Sequence, residues 1–238
     1  VRKKLEICVT DFASARNAAL GGADRVELCA DLASGGVTPS LGLVQKVVAS
    51  AGINTHVLIR PRGGDFVYNH DEIEIMSNDI MLLKTQGILG IVIGALLPNN
   101  EIDLETTAKL CAAARPLSVT FHKAIDLTPD LVAAIKTLKI LKIDRVLTSG
   151  GPAAARSHFD TLASMTKAAA GQIKIMAGGS VTIEDCQGLI KTCGCDEIHM
   201  GSYVCEPTPA PTLFGTRPAI VNEAIVRKVV NRLEQLSE

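Results

Sequence analysis

The residues able to do chemistry in this chain recur on one parity of short alternating segments. Glu6 and Cys8 interleave with Leu5, Ile7 and Val9, while Arg25, Glu27 and Cys29 interleave with Val26 and Leu28. His56 and Arg60 alternate with Val57 and Ile59, Ser118, Thr120 and His122 with Val119 and Phe121, and Glu197 and His199 with Ile198 and Met200. Successive strand residues point to opposite faces, so each segment has one apolar side and one side bearing charge, imidazole or thiol. His122 suits a general acid or base, given a carboxylate such as Glu27 or Glu6 to set its tautomer, with His199 close by. Arg60 and Arg62, in Ile59-Arg60-Pro61-Arg62-Gly63-Gly64-Asp65-Phe66, and Lys123 suit an anionic substrate. Backbone amides at Ser149-Gly150 and Gly178-Gly179 extend that expectation to phosphate. The competing reading of each glycine is a tight turn that needs positive φ.

These side chains need a scaffold that gathers strand ends. Eight strand-like runs, Leu5 to Val9, Arg25 to Cys29, Thr55 to Arg60, Ile88 to Ile93, Leu117 to His122, Asp144 to Ser149, Ile173 to Ala177 and Glu197 to Met200, alternate with helical ones. Helix signals include Asp11 to Leu20, Asp103 to Ala114, Thr128-Pro129 as cap and first turn, and Val221 to Leu236. Eight such units in 238 residues predict an α/β fold, a single-domain TIM (β/α)8 barrel spanning 1–238 with a long Pro-rich loop at 201–220. No Gly-x-Gly-x-x-Gly follows the first strand, as a dinucleotide-binding open sheet would require. Ala23-Asp24-Arg25-Val26 and Ile143-Asp144-Arg145-Val146 resemble each other four units apart, suggesting two similar half-barrels. The apolar parity must face the helices, which turns the polar parity into the barrel. Buried charges are costly unless paired, so the interior is either a satisfied salt-bridge network or a ligand site. In the first case Glu6, Glu27 and Glu197 would offset Arg60, Arg62 and Arg25.

Composition removes other classes. The net charge is −1 and the longest basic run is Arg2-Lys3-Lys4, which argues against nucleic acid. No apolar stretch reaches the roughly 20 residues of a membrane span. Seven cysteines (Cys8, Cys29, Cys111, Cys186, Cys193, Cys195 and Cys205) are an odd, scattered set, which predicts reduced thiols in the cytoplasm. Cys193-Gly194-Cys195 precedes the last strand and so belongs at the opposite end of the barrel from a catalytic site.

Six segments, read in order, resemble the motifs of the CutC copper homeostasis family. They are Glu6-Ile7-Cys8-Val9, Gly21 to Cys29, Ile59 to Phe66, Thr120-Phe121-His122-Lys123-Ala124, Arg145 to Gly150 and Glu197-Ile198-His199. The resemblance runs to about residue 202. It implies a TIM barrel, a cytosolic homo-oligomer (dimer or tetramer), a role in copper handling, and a Cu(I) site at Cys8 and Cys29. Soft thiolates suit Cu(I), and these two cysteines share inward parity on adjacent strands. Two small buried core thiols are the competing reading. Lys123-Ala124-Ile125-Asp126 departs from the Arg-Ala-Phe-Asp common in the family, and the lysine lacks a planar fork for bidentate anion contact. Two functions therefore fit these residues: a cytosolic Cu(I)-binding factor, or an enzyme acting on a small anionic substrate.

Overall fold

In the computed structural model, which describes residues 2–206, 211–212, 215–216 and 219–237, eight parallel strands close into a barrel in chain order. They are β1 (Lys4–Val9), β2 (Arg25–Leu28), β3 (Asn54–Leu58), β4 (Gly90–Ile93), β5 (Ser118–Phe121), β6 (Arg145–Thr148), β7 (Lys174–Ala177) and β8 (Glu197–Met200). The helices are α1 (Phe12–Leu20), α2 (Leu41–Ser50), α3 (His70–Lys84), α4 (Leu104–Ala114), α5 (Leu131–Ile140), α6 (Phe159–Ala169) and α7 (Glu223–Gln235). Every strand lies within two residues of its expected position. The TIM-barrel expectation holds.

Parity sorts the side chains as the alternation predicts. Leu5, Ile7, Val26, Leu28, Val57, Val119, Phe121, Ile198 and Met200 join helix residues such as Val44, Ile80, Leu110 and Val229 in the main apolar core. Each fully buried aliphatic side chain contributes on the order of 1.5–3 kcal/mol. A second, smaller apolar cluster, Cys8, Cys29, Leu58 and Val92, lies on the other parity, inside the barrel.

Helix starts follow side-chain caps. Asp11 accepts from the Ser14 amide and Asp103 from that of Thr106, while Asn69 and Glu72 form a reciprocal capping box. Two boundaries differ from expectation. Asp130, rather than Thr128, caps α5, because its carboxylate accepts from both Val132 N and Ala133 N, and Lys123–Leu127 form a 3-10 turn before it. The last helix starts at Glu223 because Asn222 caps it and Ile220–Val221 pairs antiparallel with Cys205–Glu206. After β7 the chain is helical only from Cys186, ending in a π turn at Gly188–Thr192. The greater part of the Pro-rich loop, including Pro207, Pro209 and Pro218, lies outside the described residues.

The two related segments do equal work. Asp24 accepts the Leu5 amide and Asp144 the Val119 amide, each tying its strand to the preceding one. Arg25 and Arg145, one residue later, both reach Glu197.

Candidate functional site

The barrel interior is built in two layers. Deep in it, Arg25 bridges Glu6 and Glu197, and Arg145 forks onto both oxygens of Glu197 at 2.6 and 3.0 Å. All four side chains are buried. Two carboxylates thus face two guanidiniums, and the charge balances. Burial alone would raise the Glu6 carboxyl, but Arg25 and the hydrogen bond to His199 more than offset it and hold it well below the usual range. Glu197 is likewise lowered against its burial by Arg145 and Arg25. The salt-bridge network expected from sequence therefore exists in part: Arg25, Glu6 and Glu197 belong to it, Arg145 stands in place of Arg60 and Arg62, and Glu27 pairs with no arginine among the described residues.

One step toward the carboxyl ends of the strands lies a softer set. Register places Glu6 beside His199 and Cys8 beside Glu27. The Cys8 and Cys29 sulfurs are 3.6 Å apart. One donor atom from each of Cys8, Glu27 and His199 lies within 4.8 Å of the others, and all three residues are buried. His199 Nδ1 is 2.8 Å from Glu6 Oε1, which leaves Nε2 turned to Glu27 at 3.7 Å. A carboxylate behind an imidazole is how metal-binding histidines are commonly oriented. Hydrogen bonding to Cys29 and burial push the Cys8 thiol well above its ordinary value, and burial raises the Glu27 carboxyl.

With metal–sulfur bonds of about 2.3 Å, sulfurs 3.6 Å apart meet a common ion at close to a tetrahedral angle. A linear two-thiolate Cu(I) centre would instead need them roughly 4.6 Å apart by the same bond length. The geometry thus fits a bent pair with room for a third donor; His199 and Glu27 come within 4.8 Å of the Cys8 sulfur, and the imidazole suits Cu(I) better than the hard carboxylate. Sequence reasoning gave those two residues acid–base roles. The signal that joins them to the thiols was present in the shared parity of β8, β1 and β2.

His122 sits at the end of β5, buried, its ring 4.8 Å from that of Phe66. Its Nδ1 accepts the Ala124 amide at 3.1 Å, so the neutral ring carries its proton on Nε2, which has no partner among the described residues. Burial, then Arg60, lowers its pKa to about 3. Two glycines of β4 and its carboxyl end that drew no attention in the sequence make room for inward histidines. A Cβ on Gly90 would lie 2.5 Å from the His56 ring, and one on Gly94 would lie 2.3 Å from that of His122.

The expected anion binders are placed differently. Arg60 is buried but spends its terminal nitrogens on the carbonyls of Ser34, Gly36 and Gly64, clamping the loop after β2 to the loop after β3. Its guanidinium lies 4.9 Å from the Phe66 ring centroid. Arg62 lies beyond β3, where strand parity no longer governs, and pairs with Glu72 and Asp65 away from the barrel axis. At the loop after β6, the Ser149 amide and hydroxyl both bond the Asp126 carboxylate, and Gly150 N donates to Thr148 Oγ1. Gly178 N donates to the Thr148 carbonyl. These amides are therefore taken by the chain's own groups. Lys123 stays half-exposed, 3.8 Å from Asp126.

Thiols, a glutamate, two histidines, Arg60 and Lys123 line one pocket with Leu32, Leu58, Phe66 and Leu147, about 200 Å³ in volume. The fold and site define a parallel (β/α)8 barrel with a polar, thiol-bearing pocket at the carboxyl ends of its strands. Comparison with known proteins makes the class particular: the CutC family model matches residues 3–204, and the chain belongs to that family. It is 45% identical over 195 residues to a human protein named copper homeostasis protein cutC homolog, covering 82% of this chain and 71% of that one. A CutC family protein of Aliivibrio fischeri is 40% identical over 207 residues, covering 86% of this chain and 84% of the relative. The crystal structure of a Streptococcus agalactiae protein described as a copper homeostasis protein CutC superposes with a TM-score of 0.79 at 33% identity, covering 84% of this chain and 98% of that one.

Proposed function

We propose that this chain binds Cu(I) through Cys8 and Cys29, with His199 or Glu27 as third donor, and serves copper tolerance or trafficking in the cytoplasm. The observation that carries the reading is the 3.6 Å approach of two buried thiols beside a buried imidazole and carboxylate. Soft sulfur donors select Cu(I) over the harder divalent ions, and an imidazole is compatible with copper. The names of the relatives support the same role. All seven cysteines are free, in keeping with a reducing compartment. Ile75, Met81 and Leu82 of α3, each half or more exposed, support a homo-oligomer, dimer or tetramer. No described helix is long and apolar enough to cross a membrane.

The test is anaerobic titration with Cu(I) against a competing chelator. One copper per chain is expected for the native protein, and none at comparable affinity for the Cys8→Ser, Cys29→Ser double variant. Undiminished stoichiometry in that variant would sink the assignment. The alternative, acid–base catalysis on an anionic substrate through His122, has less support, because a ring with a pKa near 3 is a weak base at neutral pH.

A further inference from the structure

We propose that the pocket above the thiol pair is a binding site for a small organic carboxylate, held by His122 Nε2–H and Lys123 Nζ. This inference is independent of the copper reading, since neither anchor belongs to the proposed metal centre.

The first observation is an unanswered donor. The Ala124 amide occupies His122 Nδ1 at 3.1 Å, so the proton must lie on Nε2. Nε2 is buried and bonds no acceptor among the described residues, although His122 forms part of the pocket wall. A buried N–H without a partner bears its full desolvation penalty, which a ligand oxygen would remove. The ring cannot easily turn elsewhere. Gly94 backs it closely, and Phe66 packs at 4.8 Å.

The second observation is a cation at the mouth with a weak internal partner. Lys123 Nζ is 3.8 Å from Asp126 Oδ2, a carboxylate already engaged by Thr148 Oγ1, Ser149 Oγ and Ser149 N. Lys123 lines the same pocket as His122. A hydrogen-bond donor and an ammonium on adjacent residues can share one carboxylate, the first directed and the second charge-matching. Leu58, Phe66 and Leu147 in the same walls then suit a short apolar body.

The class of anion follows from what is missing as much as from what is present. Phosphate sites on barrels gather several backbone amides from the loops after the seventh and eighth strands and a helix N-terminus. Here no described residue of the loops after β7 and β8 lines the pocket, and in the loop after β6 Ser149 N serves Asp126 and Gly150 N serves Thr148 Oγ1. Arg60 in the same wall spends its terminal nitrogens on three carbonyls and leaves only Nε without a partner among the described residues, so the free donors are two N–H groups and one ammonium, a set that suits a monoanion better than a dianion. A cavity of about 200 Å³ limits the ligand to a small acid.

The experiment uses the full chain, metal-free and reduced, labelled with ¹⁵N at its histidines. Acetate, pyruvate, isobutyrate and inorganic phosphate are titrated to about ten millimolar at constant pH and ionic strength. A saturable shift of the His122 Nε2 resonance with at least one carboxylate is expected, weakened tenfold or more in Lys123→Gln. That variant alters a half-exposed side chain and should keep the native fold and spectrum. No saturable shift with any carboxylate overturns the proposal, as does a response to phosphate alone or carboxylate binding that Lys123→Gln leaves intact. Copper retention, measured separately, does not enter either outcome.

Discussion

Glu6 is the residue on which both layers of the interior depend. One carboxylate oxygen takes the Arg25 guanidinium and the other holds His199 Nδ1. Removing its charge leaves Arg25 with Glu197 alone, a carboxylate that Arg145 already occupies with two contacts. Breaking a buried pair by neutralising one partner typically costs about 3–5 kcal/mol. The Glu6→Gln variant is therefore expected to unfold at a lower urea concentration by a stability difference of that size. A loss below about 1 kcal/mol, the ordinary range for exposed pairs, would mean the network is far less coupled than its geometry implies. Arg62→Gln supplies the contrast: its partners Asp65 and Glu72 lie toward the surface, and removing it should shift the unfolding midpoint far less than Glu6→Gln does.

At the scale of elements, β4 determines where the imidazoles can stand. Its inward positions Gly90 and Gly94 leave the space that His56 and His122 fill from β3 and β5. Gly94→Ala would place a methyl 2.3 Å from the His122 ring, and overpacking of this kind costs about 1–3 kcal/mol. The His122 resonances should move with it. Gly42 lies in the first turn of α2 with an ordinary helical backbone, and a methyl there would meet nothing within 4 Å, so Gly42→Ala should stabilise by up to about 1 kcal/mol. Equal thermal shifts in the two variants would contradict this account. The strands and their inward parity were legible because alternation is a local signal that barrel closure enforces. Arg62 was misjudged because it lies beyond the end of β3, where Asp65 and Glu72 of the following segment take its guanidinium. Asp126 escaped notice because its partners, Thr148 and Ser149, are 22 and 23 residues away, and no local pattern marks a carboxylate that fills a distant loop. Parity put Glu27 and His199 on the same side as the thiols, but the register that sets Glu6 beside His199 and Cys8 beside Glu27 is written in no local pattern.

For the whole molecule, enclosing so many titratable groups ties stability to pH. Burial lowers His56 to about 3, with Arg25 and Arg145 adding to the shift and Glu6 and Glu197 opposing it; burial and then Arg60 lower His122 to about 3. Below the unfolded value of about 6.5, the unfolded chain binds a proton at each that the folded chain refuses, so stability falls as pH falls. Glu27 acts in the opposite sense: its folded pKa is raised, so between the unfolded value near 4.5 and that raised value the folded state binds the extra proton. His199, also raised, is protonated in both states below 6.5 and contributes no slope there. The net excess is one to two protons on the unfolded side, or roughly 1–3 kcal/mol lost per pH unit between 6.5 and 4.5. Below 4.5 the slope should steepen, because Glu6 and Glu197 have lowered folded values and the unfolded chain now takes up their protons first. Urea unfolding of the metal-free protein at half-unit intervals from pH 7.5 to 4 measures this directly. A profile flat from pH 7 to 5 would show that the two histidines are not held neutral. In that case the orientation of His122, with its proton on Nε2, would lose its physical basis together with the pocket chemistry that depends on it.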